Sequence, residues 1–159
     1  MAVLEDLRRR WDDQHISNQD HASPQDVAAF EAKHGVVFPR AVADYFLQLN
    51  GTKHGRLGME DEYQISFWHL SQVEPVEDEM GESAGGGLFF FADWMIDGTL
   101  WAVRLSKDAS QSAPVTFWFG PSWQIAPAFE DFFAGYLRRD TSLLFPKERP
   151  CPAGGPLPA

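Results

Sequence analysis

A chain of 159 residues, 44% of them hydrophobic and 23% charged, is long enough for one ordinary domain with a single core. Its one cysteine, Cys151, excludes a disulfide framework and a thiolate metal cluster, and it indicates a reducing compartment. The first ten residues contain no apolar run, and no later stretch approaches the ~20 apolar residues of a membrane span. We therefore expect a cytoplasmic protein with no membrane partner.

The net charge of −10 is concentrated in one part of the chain. Residues 57–103, here called the acidic segment, contain no Lys or Arg, whereas the rest of the chain has thirteen residues of each sign. The ten acids of the segment are Glu60, Asp61, Glu62, Glu74, Glu77, Asp78, Glu79, Glu82, Asp93 and Asp97. This charge is either a solvated surface that favours solubility or a docking face for a basic partner. Both interpretations exclude nucleic acid, whose phosphates the segment would repel.

The first third of the chain carries the patterns of three helices. Apolar residues spaced i, i+3 and i+7 predict the first one: Leu4, Leu7 and Trp11. The second begins at Ser23, an N-cap with Asp26 as its capping-box partner, and Gly35 supplies the left-handed residue that ends it. Pro39 opens the third helix, which Asn50 and Gly51 stop. Its apolar face consists of Val42, Tyr45, Phe46 and Leu49.

Strand patterns follow in the middle of the chain. Alternation at Tyr63, Ile65 and Phe67 predicts a half-buried strand, and residues 68–73 either continue it or form a short helical turn. Residues 88–92 are apolar on both faces, which is typical of a central strand. Asp97 and Gly98 predict a hairpin turn into a strand at 99–105, and residues 114–119 alternate as another strand. These three strands are expected to form an antiparallel meander.

The last third contains the clearest helix of the chain. Its apolar residues are spaced i, i+3, i+4, i+7 and i+8: Phe129, Phe132, Phe133, Tyr136 and Leu137. From residue 146 onward, five prolines and two glycines in fourteen residues predict a disordered tail. The predicted fold is α+β, with N-terminal helices, a central and mainly antiparallel sheet of four to six strands, and a closing C-terminal helix. Residues 1–145 are predicted to form one domain.

No pattern of catalytic or metal-binding residues stands out. Gly81 to Gly85 match the G-x-S-x-G nucleophile elbow around Ser83, but no helix is predicted after the serine and all five histidines precede it. A serine hydrolase therefore remains only a remote alternative. The histidines lack the spacing of a zinc motif, and the glycines at 85–87 open a strand rather than a phosphate-binding helix. We expect no enzymatic activity, no metal and no cofactor.

Two of the six tryptophans are not explained by helix or strand periodicity. Trp94 precedes the predicted hairpin turn, and Trp123 lies in a predicted loop rich in Pro and Ser. Tryptophan is enriched at the centres of protein interfaces, so both residues are candidates for partner contacts. The alternative is that both lie under loops as part of the core.

The helical patterns resemble those of the SUKH superfamily, named after Syd, the herpesviral US22 proteins and the yeast cell-wall assembly regulator Knr4. The N-terminal match consists of Phe30, Glu31, Gly35, Phe38, Pro39, Tyr45, Phe46, Leu47, Asn50 and Gly51. The C-terminal match, to the closing helix of the family, consists of Ile125, Ala126, Phe129, Glu130, Phe132, Phe133 and Tyr136. The two matches bracket residues 23–145, and they contain packing and capping residues without chemistry.

This resemblance implies a protein-binding function. Bacterial members of the superfamily look like immunity proteins, which bind and block the toxin domain of a polymorphic toxin, often a nuclease. The yeast member resembles a cell-wall and signalling regulator, so a cytoplasmic regulatory scaffold without a toxin is the alternative. An acidic face suits a basic nuclease site, because it both steers association and mimics phosphate. The candidate partner-binding residues are Glu60, Asp61, Glu62, Glu77, Asp78, Glu79, Glu82, Asp93, Trp94 and Asp97.

Overall fold

The protein was analysed as a computed structural model, which describes residues 2–57, 60–76, 87–96, 98–119 and 122–146. The described helices are α1 (Ala2–Asp13), α2 (Pro24–His34), α3 (Arg40–Gln48), α4 (Phe129–Leu137) and α5 (Thr141–Leu144). The described strands are β1 (Ile65–Phe67), β2 (Glu74–Pro75), β3 (Leu88–Trp94), β4 (Thr99–Arg104), β5 (Val115–Trp118) and β6 (Ser122–Ala126). This arrangement confirms the predicted α+β fold. None of the described helices is both long and apolar enough to cross a membrane.

The sheet is a consecutive antiparallel meander extended at one edge. Strands β3, β4, β5 and β6 pair in chain order, and β1 and β2 both pair with β3 on its other side. The short turn Leu70–Gln72 connects β1 to β2. The predicted hairpin between β3 and β4 is therefore confirmed, and so is their neighbour β5.

Local chemistry explains where the second and third helices begin and end. The Asp26 amide donates to the Ser23 hydroxyl, and the Ser23 amide donates to the Asp26 carboxylate, which completes the capping box at α2. Gly35 ends this helix with a φ of 64°, a left-handed conformation that favours glycine. Pro39 precedes the first residue of α3, as expected from its fixed φ and its missing amide hydrogen.

The main core lies between the sheet and the helices, which contribute buried apolar residues from α1 to α4. Phe133 is at its centre, with 1% of its surface exposed and its ring stacked on Tyr45 at 4.9 Å. The rings of Phe67 and Phe91, on β1 and β3, lie 5.6 and 6.4 Å from the same side chain. All predicted core residues of α1 and α3 are buried, so the helical periodicity assigned these faces correctly.

Three features differ from the sequence-based expectation. Ile125 and Ala126 were assigned to the closing helix, but both belong to strand β6, which pairs with β5. The short helix α5 was not predicted. Among the described residues of the β3–β4 turn, those with left-handed φ are Met95 and Ile96, and Gly98 does not have the left-handed φ that an Asp-Gly turn would require. The first two differences involve a tertiary contact, because β6 and α5 pack against each other.

Candidate protein-interaction surface

Two of the predicted docking acids are buried. Asp93 on β3 has no exposed surface, and its carboxylate accepts a hydrogen bond from the indole N–H of Trp68 at 3.2 Å. Asp61 is 6% exposed and lies just before β1. Neither carboxylate is presented at the surface, so a direct contact with a partner is not supported at these two positions.

Asp61 organises the chain around the start of β1. One of its carboxylate oxygens accepts from the backbone amides of Tyr63 and Ile65, at 2.8 and 2.9 Å. The other oxygen accepts from the hydroxyl of Tyr136 on α4, which in turn accepts from the indole of Trp11 on α1. Burial raises the pKa of the Asp61 carboxyl above its usual value, against the opposing effect of these hydrogen bonds. This residue therefore joins α1, α4 and β1, which is a structural role.

Arginines from outside the acidic segment offset part of its charge. The carboxylate of Glu62 forms ion pairs with Arg10 of α1 and with Arg139, which follows α4. Glu74 pairs with Arg56 at 3.4 Å. The acids of the acidic segment and the arginines of the rest of the chain are separate in sequence, but these ion pairs bring some of them together in the fold.

The remaining acids divide into one described residue and five others. Glu60 is exposed and remains available to a partner. The other five lie outside the described residues: Glu77, Asp78, Glu79, Glu82 and Asp97. Ser83 of the G-x-S-x-G match also lies outside them. Their predicted roles stay predictions.

Both unexplained tryptophans line one apolar groove at the end of the sheet. This groove has a volume of about 510 Å³, and Trp94 from β3 and Trp123 from β6 form two of its walls. The Trp94 indole donates to the carbonyl of Tyr63 at 2.9 Å, so its polar atom is satisfied within the fold. Trp123, predicted to lie in a loop, is part of a strand. Both tryptophans are half-buried, so each has a part that packs in the fold and a part that a partner could contact.

Four of the six other described residues that line the groove are aromatic. Its other lining residues are Tyr63, Thr99, Phe117, Phe119, Phe145 and Pro146. Trp101, fully buried beneath, lies 6.1 Å from the ring of Phe117 and 5.7 Å from that of Phe145. The groove is therefore continuous with the packed core and is preformed, as ligand and partner sites commonly are. We call it the aromatic groove.

Exposed apolar side chains, here called the apolar patch, lie at this end of the sheet. Among the described residues the exposed large hydrophobic side chains are Met95, Ile96 and Phe119, at 52%, 72% and 60% of their surface. Met95 and Ile96 follow β3, and Phe119 follows β5. The register of β3, β4 and β5 places the last residues of β3 and β5 at the same end of the sheet. Ile96 has a φ of 55°, which is unfavourable for a β-branched residue, so the backbone at this exposed position is strained. Clustered exposed apolar surface is typical of interaction sites.

Groups suited to metal binding do not assemble in the part of the chain that the structure describes. No three His, Cys, Asp or Glu side chains there are close enough to hold an ion. His34 packs on the rings of Phe30 and Phe89, at 4.4 and 5.1 Å, and burial together with Lys33 lowers its pKa.

The chain matches the model of the SMI1 / KNR4 family (SUKH-1) over residues 21–135. The chain belongs to this family. Comparison with curated proteins gives no significant match. Membership in the SMI1 / KNR4 family agrees with the resemblance found in the sequence.

The structure explains why the family pattern of this chain contains packing and capping residues. The Glu31 carboxylate accepts from the Phe38 amide at 2.8 Å and so holds the connection between α2 and α3. The Asn50 side chain accepts from the Leu70 amide and donates to the Asp20 carbonyl, both at 2.8 Å. These residues of the SMI1 / KNR4 pattern position the scaffold, and the aromatic groove lies apart from them.

Proposed function

We propose that this SUKH-1 protein is a non-catalytic binding module, and specifically an immunity protein that neutralises the toxin domain of a polymorphic toxin. The observation that carries the proposal is the net charge of −10, which remains although Asp61 and Asp93 of the acidic segment are buried. Glu60 is the exposed acid of this segment among the described residues that forms none of the ion pairs above. A nuclease toxin has a basic, phosphate-seeking site, and an acidic inhibitor would associate with it rapidly and occupy it. Binding would take place in the cytoplasm.

The exposed apolar patch supports the same proposal. Tight interfaces have an apolar or aromatic centre and a polar rim, and charge alone gives on-rate more than affinity. Phe119 and Ile96 would supply the apolar centre, and Glu60 with the acids at 77–82 would supply the electrostatic attraction. Acids held in internal ion pairs, such as Glu62, would contribute less.

The experiment is a protection assay in a bacterial host. Toxin domains encoded beside this protein are induced with and without it, and colony survival is measured. Weaker protection on changing Glu77, Asp78 and Glu79 to Gln, and unchanged protection on changing Glu5, Asp13 and Asp20 to Gln, would support electrostatic neutralisation. Failure to protect against every neighbouring toxin domain, with stable expression of both proteins, would refute the immunity role.

A regulatory scaffold is the second candidate function. The observation that favours it is the aromatic groove, which needs no basic partner and no toxin. The two functions differ in salt dependence, because a scaffold that binds through apolar surface would associate at a rate nearly independent of ionic strength. Affinity purification with and without Phe119→Ser, followed by identification of the proteins lost, tests this candidate.

A further inference from the structure

We propose that the aromatic groove is the binding site for the proline-rich segment at residues 147–159 of this same chain, which covers the groove until a partner displaces it. The inference does not depend on whether the partner is a toxin. The segment begins directly at the groove, because Pro146, the last described residue, is itself part of the groove lining. The thirteen residues that follow contain four further prolines.

The chemistry of the groove fits prolines. Aromatic-lined grooves recognise Pro-rich segments in several families of binding module, because the rings pack against the pyrrolidine faces and the segment loses little entropy on binding. Here Trp94, Trp123 and Phe119 provide three such rings. Phe119 is 60% exposed, so covering it would remove apolar surface from water.

Attachment at the rim strengthens even a weak interaction. A short connection gives a tethered segment an effective concentration in the millimolar range. If the free segment bound with a Kd of about 0.1 mM, the groove would be covered for roughly nine-tenths of the time. The segment also carries Lys147 and Arg149 against Glu148, a small positive charge on a strongly acidic chain, which favours association.

The test compares the full chain with a chain that ends at Pro146, which keeps every described element. The probe is a synthetic peptide with the sequence of residues 146–159, and the signals followed are the indole N–H resonances of Trp94 and Trp123. We expect the peptide to shift both resonances of the shortened chain with a Kd of about 0.1 mM, and to bind the full chain about tenfold more weakly. A peptide with its prolines replaced by serine is the control.

Two variants of the shortened chain make the assignment specific. Phe119→Ser should weaken peptide binding by about tenfold, whereas Ala28→Ser, an exposed position on α2, should leave it unchanged. Because both positions are exposed, the fold should be retained, and thermal unfolding checks this. Equal peptide affinity for the full and shortened chains would overturn the proposal.

Other occupants of the groove give different outcomes. A full chain that dimerises in sedimentation, and becomes monomeric when shortened, would show that the segment enters the groove of a second copy. A shortened chain that dimerises unless Phe119 is changed would assign the groove to copy-to-copy contact. Either result would contradict covering within one chain. Protection against a toxin is measured separately, so failure of the immunity role leaves this result unaffected.

Discussion

Tyr136 on α4 donates its hydroxyl hydrogen to the buried carboxylate of Asp61, at the start of β1. The two residues are far apart in sequence, and one was predicted to be core while the other was predicted to bind a partner. This hydrogen bond connects α4 to the start of β1, at one edge of the sheet. An acid that appears in the sequence as part of a charged run is thus a buried structural residue.

Asp61→Asn should destabilise the protein by about 1–3 kcal/mol at low pH, because an amide nitrogen, which cannot accept a hydrogen bond, replaces the carboxyl oxygen that faces the Tyr136 hydroxyl. Since the folded-state pKa of Asp61 is raised, the folded protein binds more protons than the unfolded chain between the two pKa values. The contribution of Asp61 is therefore fully present below the unfolded pKa and decreases as pH rises through the folded one.

Urea unfolding of the parent and Asp61→Asn from about pH 3.5 to about pH 7 measures this difference. The destabilisation should become smaller as pH rises. A difference that grows with pH would mean that hydrogen bonding outweighs burial and that the pKa is lowered. Glu60→Gln, at the exposed neighbouring position, is the control and should give a difference near zero.

Gly51→Ala should destabilise the protein by at least about 3 kcal/mol. Gly51 has a φ of 79°, and an added Cβ would meet the carbonyl oxygen of Phe67 and lie 2.6 Å from that of Trp68. Gly35→Ala is the matched control: φ is 64°, but the space is open, so the cost should be only about 1–2 kcal/mol of backbone strain. Chemical denaturation compares the two, and equal losses would contradict the close approach.

Phe133→Ala should cost about 3–5 kcal/mol, because the ring is 1% exposed and packs on rings from α3, β1 and β3. Leu137→Ala, in the same helix at a half-buried position, serves as the control and should cost less. Urea unfolding measures both. A loss below about 1 kcal/mol for Phe133→Ala would mean that α4 presents a different face to the core.

Replacing Glu77, Asp78 and Glu79 by Gln should lower the association rate with a basic partner by about tenfold at low salt. The difference should shrink toward physiological ionic strength, where the Debye length is ~8 Å. Stopped-flow kinetics at several salt concentrations measures the rates. The matched variant, with Gln at Glu5, Asp13 and Asp20, removes the same charge from the N-terminal region.

If the two triple variants slowed association equally, net charge alone would explain the effect. If neither did, the acidic segment would be a solubilising surface, and the apolar patch around Phe119 would become the first docking site to examine.

Local chemistry in the sequence was sufficient to predict helices α1 to α4 and strands β1, β3, β4 and β5. The cap at Ser23, the left-handed Gly35 and the helical spacing of apolar residues in α1, α3 and α4 depend on neighbours within a few positions. Such interactions can be recognised without knowledge of the fold. The family pattern could be recognised for the same reason, since it consists of caps and packing residues.

The candidate site depended on tertiary structure. No local pattern distinguishes Glu60, which is exposed, from Asp61, which is buried against Tyr136, because burial is decided by where α4 lies. Likewise, the aromatic groove joins Trp94, Trp123 and Phe145. The β3–β6 meander places the end of β3 and the start of β6 at the same end of the sheet, and α5, which Phe145 follows, packs on β6. The sequence determined the scaffold and its net charge through short-range interactions, whereas long-range packing decided which charges and aromatic rings reach the surface.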